Sequence, residues 1–577
     1  MPEALFAELA AGGGSAEAVA FLERGERARR LLLLRTLLDR LDTLHTPITP
    51  PADAWRALKK AAERAPEPVD RLLLAPATGG WIAHVLRRLH GTAAGPPLWA
   101  EAGHLCTLAV TACLHAGTET DLMVPLTGGC LYLPGLGMAR LSEAEPELTV
   151  GRARTSGGEL SLTGPGRDGG TASLTIRPAT APLRRDAASS ESAVPCGEIQ
   201  DASWFPLRTL THPTPEGPVA IPLDDLGPYR DLDDPLPPDR LDDAEAEAWQ
   251  RLFEEAVEVL ADPNRTGPNG TGPAGTGPGR LDPAAIRAIV PYGRTSTTPP
   301  ALPTVPLSAS SGDSFGAMVI ARPASALALA ETLVHEFQHS KLAALLHLFP
   351  LLDDDRAERY YAPWRADPRH LTGLLHGAYA FTGVAGFWRD RLAGAPDAGA
   401  VETAGYHFAL RRAQSRLVVR TLLTSGRLTP PGRALVTGLA RTLDGWLREP
   451  VPSAVLTRAR TAAALHRTEW RLRNVVPVRD STYAPDTPRF RVGRTSWPDL
   501  RTHAFATRPT APRTADEHLA AGNPAAALSR YADALTADPT EPHALAGWIV
   551  ARAALEPGRA SRRMLARPEL LQPLPSG

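Results

Sequence analysis

Two histidines four residues apart, with a glutamate directly after the first, stand in the stretch ETLVHEFQHSKL at residues 331–342. On a helix this spacing brings His335 and His339 within about 40° of each other around the axis and one turn along it. Both imidazoles then reach one metal ion. Glu336 lies about 100° from His335, where it leans over the ion without ligating it, the position of a general base acting on metal-bound water. Glu331, one turn earlier, is placed to fix an imidazole tautomer from behind. The rest of the helix is largely apolar, and burying two histidines and two glutamates without partners is costly. The pattern therefore points to a metal.

A third ligand has to come from elsewhere, and His347, His370, His376, Glu358, Glu402 and His407 are the candidates. His347 lies two to three turns along the same helix and cannot fold back. The next helix is expected to start at Asp367 as N-cap, with Pro368 in its first position. On it, the face of His376 also carries Gly373, Ala380 and Gly383, with Gly377 adjacent, small residues that let another helix come close. His370 points away. His376 is the expected third ligand and Glu402 the second choice. Arg369, seven residues before His376, falls on the same face about 10 Å along the axis and suits a bidentate grip on a carboxylate. Arg365 can do the same; the competing role for either is a pair with the acidic segment LLDDDRAE. Lys341 is about 140° from the imidazoles and is expected to pair with a carboxylate elsewhere or to face a groove.

The elements that must carry these residues follow from periodicity. Residues 1–120 repeat apolar positions at three- and four-residue intervals and read as a helical N-terminal region. Residues 121–240 are β-rich: DLMVPLTGGCLYLP, ELTVGRART, GELSLTG and TASLTIRP alternate between glycine and proline breaks and predict a small antiparallel sheet. Residues 241–300 hold a helix and then DPNRTGPNGTGPAGTGPGR, whose composition predicts a flexible linker. AAIRAIVPYG and SFGAMVIARP read as buried strands. Residues 301–505 form the helical, metal-binding catalytic region, and 510–577 a helical tail. The expected fold class is α+β, predominantly helical.

Composition narrows the function. With 62 basic and 63 acidic residues the formal charge is -1, so no global field would draw in nucleic acid or a membrane. No apolar run approaches the roughly 18 residues that span a bilayer, and MPEALFAELAAGGGS lacks the order of a signal peptide. The four cysteines, Cys106, Cys113, Cys130 and Cys196, are too scattered for a disulfide framework or a zinc ribbon. A cytoplasmic protein is expected.

The stretches SFGAMVIARP, LAETLVHEFQHSKL, WRADPRHLTGLLHGAYAF and, more weakly, LDDLGPYR resemble those of the actinobacterial HExxH-type, 2-oxoglutarate-dependent peptide β-hydroxylases. The resemblance covers mainly residues 200–450. It implies Fe(II), 2-oxoglutarate and dioxygen, and a ribosomally synthesised precursor peptide as the partner. His335, His339 and His376 would be the iron ligands, and Arg369 or Arg365 would hold the distal carboxylate of the co-substrate. Glu336 would then orient substrate. This all-histidine set departs from the usual two-histidine, one-carboxylate triad of iron oxygenases. The alternatives are a zinc metallopeptidase with Glu336 as general base, although HEFQHSKLAALLH does not supply the glycine and third histidine of the longer metzincin pattern, and a non-catalytic peptide-binding protein. Near the end, Gly522, Tyr531, Ala534 and Pro539 are spaced as in a tetratricopeptide-like helix pair.

Overall fold

The computed structural model describes residues 1–141, 148–166, 170–178, 204–214, 217–232, 234–261, 277–292, 307–354, 356–477, 489–491 and 503–572. Most of the glycine- and proline-rich stretch predicted as a linker (262–276) lies outside them, as does Cys196; Cys106, Cys113 and Cys130 are free thiols.

Seven helices come first: α1 (Glu3–Ala10), α2 (Ala16–Leu41), α3 (Pro51–Arg64), α4 (Pro66–Leu74), α5 (Pro76–Leu89), α6 (Leu98–Ala102) and α7 (His104–Ala116). Proline occupies the first turn of α3, α4 and α5, where its missing N–H costs nothing. The alternating segments that follow form an antiparallel sheet of β1 (Thr120–Thr127), β2 (Cys130–Leu133), β3 (Gly137–Arg140), β4 (Leu148–Ser156), β5 (Glu159–Pro165), β6 (Thr171–Ile176) and β7 (Trp204–Pro206), in the order β6-β5-β4-β1-β2-β3-β7. On β4, Ala153 and Thr155 point inward, while Arg152 and Arg154 point out to Asp121 of β1. That alternation lets α7 cover the sheet, and Leu105, Leu108 and Val110 join Leu122, Val124 and Leu131 in one core.

A second, mixed sheet has the order β11-β12-β10-β9-β8, built from β8 (Arg208–His212), β9 (Val219–Leu223), β10 (Ala288–Tyr292), β11 (Ser308–Ala309) and β12 (Ala317–Ala321). Its inner strands β9, β10 and β12 run parallel, and the two outer ones are antiparallel to their neighbours. The β content thus exceeds the small antiparallel region expected, within a helix-dominated α+β fold. Helices α8 (Asp243–Ala261) and α9 (Ala326–Leu348) pack side by side on this sheet. Behind α9 come α10 (Leu371–Ala393), α11 (Ala398–Thr424), α12 (Pro430–Trp446) and α13 (Ser453–Asn474). A third core joins α11 and α13 to α14 (Ala515–Ala520), α15 (Pro524–Ala537) and α16 (Pro542–Leu555), with α17 (Arg559–Ala566) beyond. No helix among the described residues is long and apolar enough to cross a membrane.

Two joints tie these parts together. The LDDLGPYR segment after β9 is a polar knot: Asp224 accepts from the backbone of Leu226 and Gly227, Asp225 holds Arg240, and Tyr229 is packed against His84 and His104 of the N-terminal helices. The N-terminal segment is stapled to both α9 and α10. Gln338 Nε2 donates to the Gly12 carbonyl at 2.8 Å, Lys341 Nζ to that of Gly13 at 2.8 Å, and Tyr379 OH to that of Leu9 at 3.0 Å. Lys341 therefore meets a backbone carbonyl, and burial lowers its pKa to about 7; the carboxylate partner or groove expected of it is not what it finds.

Candidate metal centre

Helix α9 starts where Ser325 accepts a bond from the Ala328 amide, a serine N-cap. Its apolar face, with Leu329, Leu333, Phe337, Leu342 and Leu345, enters the core. That leaves His335 and His339 half-buried on the side facing α10. Their Nε2 atoms are 3.2 Å apart, and the Nδ1 atoms of His339 and His376 are 3.4 Å apart. The two helices come this close because α10 lacks side chains at the contact. A Cβ on Gly383 would lie 2.2 Å from Gln338 Nε2 of α9; Gly377 makes room instead for the Trp364 ring of the segment before α10, 2.2 Å from where its Cβ would lie.

Burial pulls the pKa of His335 down to about 4, with the nearby Arg411 charge adding to the effect. His376 falls to about 4 for the same first reason, and His339 well below its ordinary value, pushed further by His335 and His376. All three are neutral, the form that ligates metals. As the rings stand, no group of three or more His, Cys, Asp or Glu side chains among the described residues is arranged to hold an ion. His339 turns one nitrogen to each neighbour, so convergence on one ion takes the rotation of a ring. As a donor set, three neutral imidazoles suit zinc or iron.

Glu336 is 1% exposed, its Oε1 is 4.0 Å from His335 Nε2, and its Oε2 has no hydrogen-bond partner. Burial raises its pKa, against the pull of the Ser308 and Ser310 hydroxyls near edge strand β11. Glu331 is also raised by burial, opposed by the Arg411 charge and the Trp388 indole; the groups that act on it do not include an imidazole. The wall beside His335 is aromatic. Phe381 stands edge-on to it at 4.8 Å between ring centroids and stacks on Trp364 at 4.7 Å.

The remaining candidates have other partners. His347 Nδ1 is 2.7 Å from Glu26 and His370 Nδ1 2.7 Å from Asp354. Glu402 pairs with Arg458, Glu358 is exposed, and His407 stacks on Trp388. The α10 helix begins at Leu371, with His370 and not Asp367 as its N-cap. The cause is a backbone bridge between Tyr360 and Arg369, which keeps Arg369 extended. The helical-face relation of Arg369 to His376 is therefore lost. Arg369 and Arg365 both bond to Asp367, at 3.2 and 3.1 Å. The arginine that does point inward is Arg411 of α11, which lies over Phe381 with Cζ 4.6 Å from the ring centroid. Sequence reasoning missed it, since nothing sets it apart among the arginines of ALRRAQSRLVVR.

Comparison of the sequence with protein-family models and with curated proteins gives no match.

Proposed function

We propose that the protein is a metal-dependent oxygenase acting on a peptide. More narrowly, we propose an Fe(II)/2-oxoglutarate-dependent hydroxylase of a β-carbon in a ribosomally synthesised precursor peptide. The observation that carries this reading is the meeting of His335, His339 and His376, all neutral, from two helices held together by Gly383. These three residues would hold the iron. When bound with its co-substrate, iron supplies the chemistry by which dioxygen decarboxylates 2-oxoglutarate to succinate and carbon dioxide and places its other oxygen atom in a C–H bond.

The chain's own residues do the rest. Phe381 and Trp364 keep water from one side of His335, which keeps 21% of its side chain exposed for approach. Glu336, desolvated and with one oxygen unbonded, accepts a hydrogen bond from a substrate amide and fixes its register. The α15 and α16 helices form the tetratricopeptide-like pair, docked on α13. The protein works in the cytoplasm, with neither nucleic acid nor membrane as a partner.

One observation favours a second reading. Glu336, with Oε2 unbonded and Oε1 4.0 Å from His335 Nε2, also suits a base acting on water in a zinc peptidase. Glu336→Gln separates the two. With a candidate peptide, Fe(II), 2-oxoglutarate and air, mass spectrometry should show a gain of one oxygen, retained in part by the variant. Cleavage of the peptide with zinc, abolished in the variant while metal stays bound, would establish the peptidase instead. A protein that takes up no metal would be a binding protein.

A further inference from the structure

We infer that the exposed arginine face of α11, α12 and α13 docks an acidic, leucine-bearing segment of the peptide substrate, away from the residue that reacts. The inference rests on the peptide reading above and adds where, and by what chemistry, the peptide is held.

The formal charge of -1 conceals two opposite regions. Residues 221–261 hold thirteen carboxylates against three arginines, and residues 398–477 hold thirteen arginines against four carboxylates. Much of the acidic region is neutralised within the chain: Asp225 holds Arg240, Asp243 holds Arg208 and Glu245 holds Arg322. The basic region is not. Its four carboxylates are already engaged, Glu402 with Arg458, Asp444 with Arg416, Glu449 with Arg389 and Glu469 with Arg473. Arg420, Arg433, Arg441, Arg448, Arg460 and Arg467 are exposed, and among the described residues no carboxylate lies within 4.0 Å of them.

These arginines form a face and not a scatter. Arg441 and Arg448 of α12 are seven residues apart, as are Arg460 and Arg467 of α13, which sets each pair on one side of its helix about 10 Å apart. Asp444 of α12 joins this side to α11: its bond to Arg416 lowers its pKa, and the Arg448 charge adds to the effect. Burial lowers the pKa of Arg412 on α11, and the Arg460 charge of α13 lowers it further. Leu417, one turn before Arg420, and Leu447, next to Arg448, are 36% and 43% exposed.

Like charges at this spacing repel, so the face is electrostatically incomplete alone. Forked guanidiniums match carboxylates, and the exposed leucines match apolar side chains between them. An acidic peptide supplies both. A nucleic acid would answer the charge and leave the leucines uncovered, and α8 of a second copy would have to give up the pairs it makes. The place also suits a substrate. Arg416 and Arg420 follow Arg411 by about 8 and 14 Å along α11, and Arg411 lies over Phe381, which stands against His335.

The test uses a short fluorescein-labelled synthetic peptide of Glu, Leu, Ala and Gly, its counterpart with Gln for Glu, and an oligothymidylate of equal length. Each is titrated with the full chain and followed by anisotropy. The acidic peptide should bind, weaken as salt rises, and exceed the other two in affinity by on the order of tenfold. The triple variant Arg420→Gln, Arg448→Gln, Arg460→Gln should bind it on the order of tenfold less, the scale of three exposed ion pairs. Arg559→Gln, Arg562→Gln, Arg563→Gln removes the same charge from exposed positions of α17 and should bind as wild type does. Failure of the acidic peptide to bind, tighter binding of the oligothymidylate, or equal affinities in the two triple variants overturns the inference. If the first triple variant does not fold, a benzophenone-bearing acidic peptide cross-linked to wild type decides: adducts on α11–α13 uphold it and adducts elsewhere overturn it. Salt-sensitive self-association without peptide binding would give the face to a second copy and overturn it too. A peptide held here but never oxygenated sinks the oxygenase reading alone, and a peptide oxygenated equally well by the first triple variant sinks the docking alone.

Discussion

Gly383→Ala is the smallest change that should pull the metal centre apart. A methyl group there would lie 2.2 Å from Nε2, 2.6 Å from Cγ and 2.8 Å from Cδ of Gln338. These contacts are too short to survive, so either Gln338 withdraws or α10 moves off α9. If Gln338 withdraws, the buried Gly12 carbonyl loses its 2.8 Å bond. Overpacking costs about 1–3 kcal/mol and an orphaned buried acceptor about 1–3 kcal/mol. Alanine in place of glycine inside a helix returns up to about 1 kcal/mol. The two costs are alternative outcomes of one clash, so the net loss is about 1–2 kcal/mol, taking the middle of either range less the alanine gain. Any share taken by helix separation carries His376 away from His339, now at 3.4 Å, so metal affinity should fall as well. Denaturant unfolding followed by tryptophan fluorescence, together with a metal titration, measures both. Adding Gln338→Ala removes the clash but not the lost bond, so the double variant should recover part of the loss. A Gly383→Ala protein with wild-type stability and wild-type metal uptake would refute the close-packing argument.

Two further outcomes follow from charge. Burial opposes protonation of His543, but its bonds to Asp516 and Glu469, each 2.9 Å, overrule that and raise its pKa to about 9. Because this value is above the ordinary 6.5, the docking it supports between α16 and α13 is fully present below pH 6.5 and fades as pH rises through about 9, a span worth about 3 kcal/mol. Unfolding midpoints from about pH 6 to pH 10 should decline over this window in wild type and lose that slope in His543→Gln; an unchanged slope in the variant removes His543 as the cause. Arg365→Ala and Arg369→Ala should each change 2-oxoglutarate affinity by less than about fivefold, since exposed ion pairs contribute little. A larger loss in direct binding would return the co-substrate carboxylate to them.

Much of the architecture was legible because burial leaves a period. The alternation in ELTVGRART, GELSLTG and TASLTIRP marks β4, β5 and β6, and the continuous apolar runs AAIRAIVPYG and SFGAMVIARP hold β10 and β12. Strand pairing was not legible. Nothing in a single strand tells that β7 closes one sheet while β8, two residues on, opens another. At the site, the four-residue spacing placed two imidazoles, and the glycine pattern of α10 singled out His376 as the third. The placement of Arg369 failed for a physical reason: it was read as helical, but a bridge to Tyr360 holds it extended. Arg411 is placed over Phe381 by tertiary packing that no local pattern records. The same is true of the N-terminal glycines, whose carbonyls are held by Gln338 and Lys341 from more than three hundred positions away.

The central claim is that one ion is shared by imidazoles from α9 and α10. Metal analysis of protein loaded anaerobically with Fe(II) tests it directly, in wild type and in His335→Ala, His339→Ala and His376→Ala. The account predicts about one ion per chain in wild type and loss of tight binding in all three variants, since each removes one of three protein ligands. Full retention of the ion in His376→Ala would contradict it.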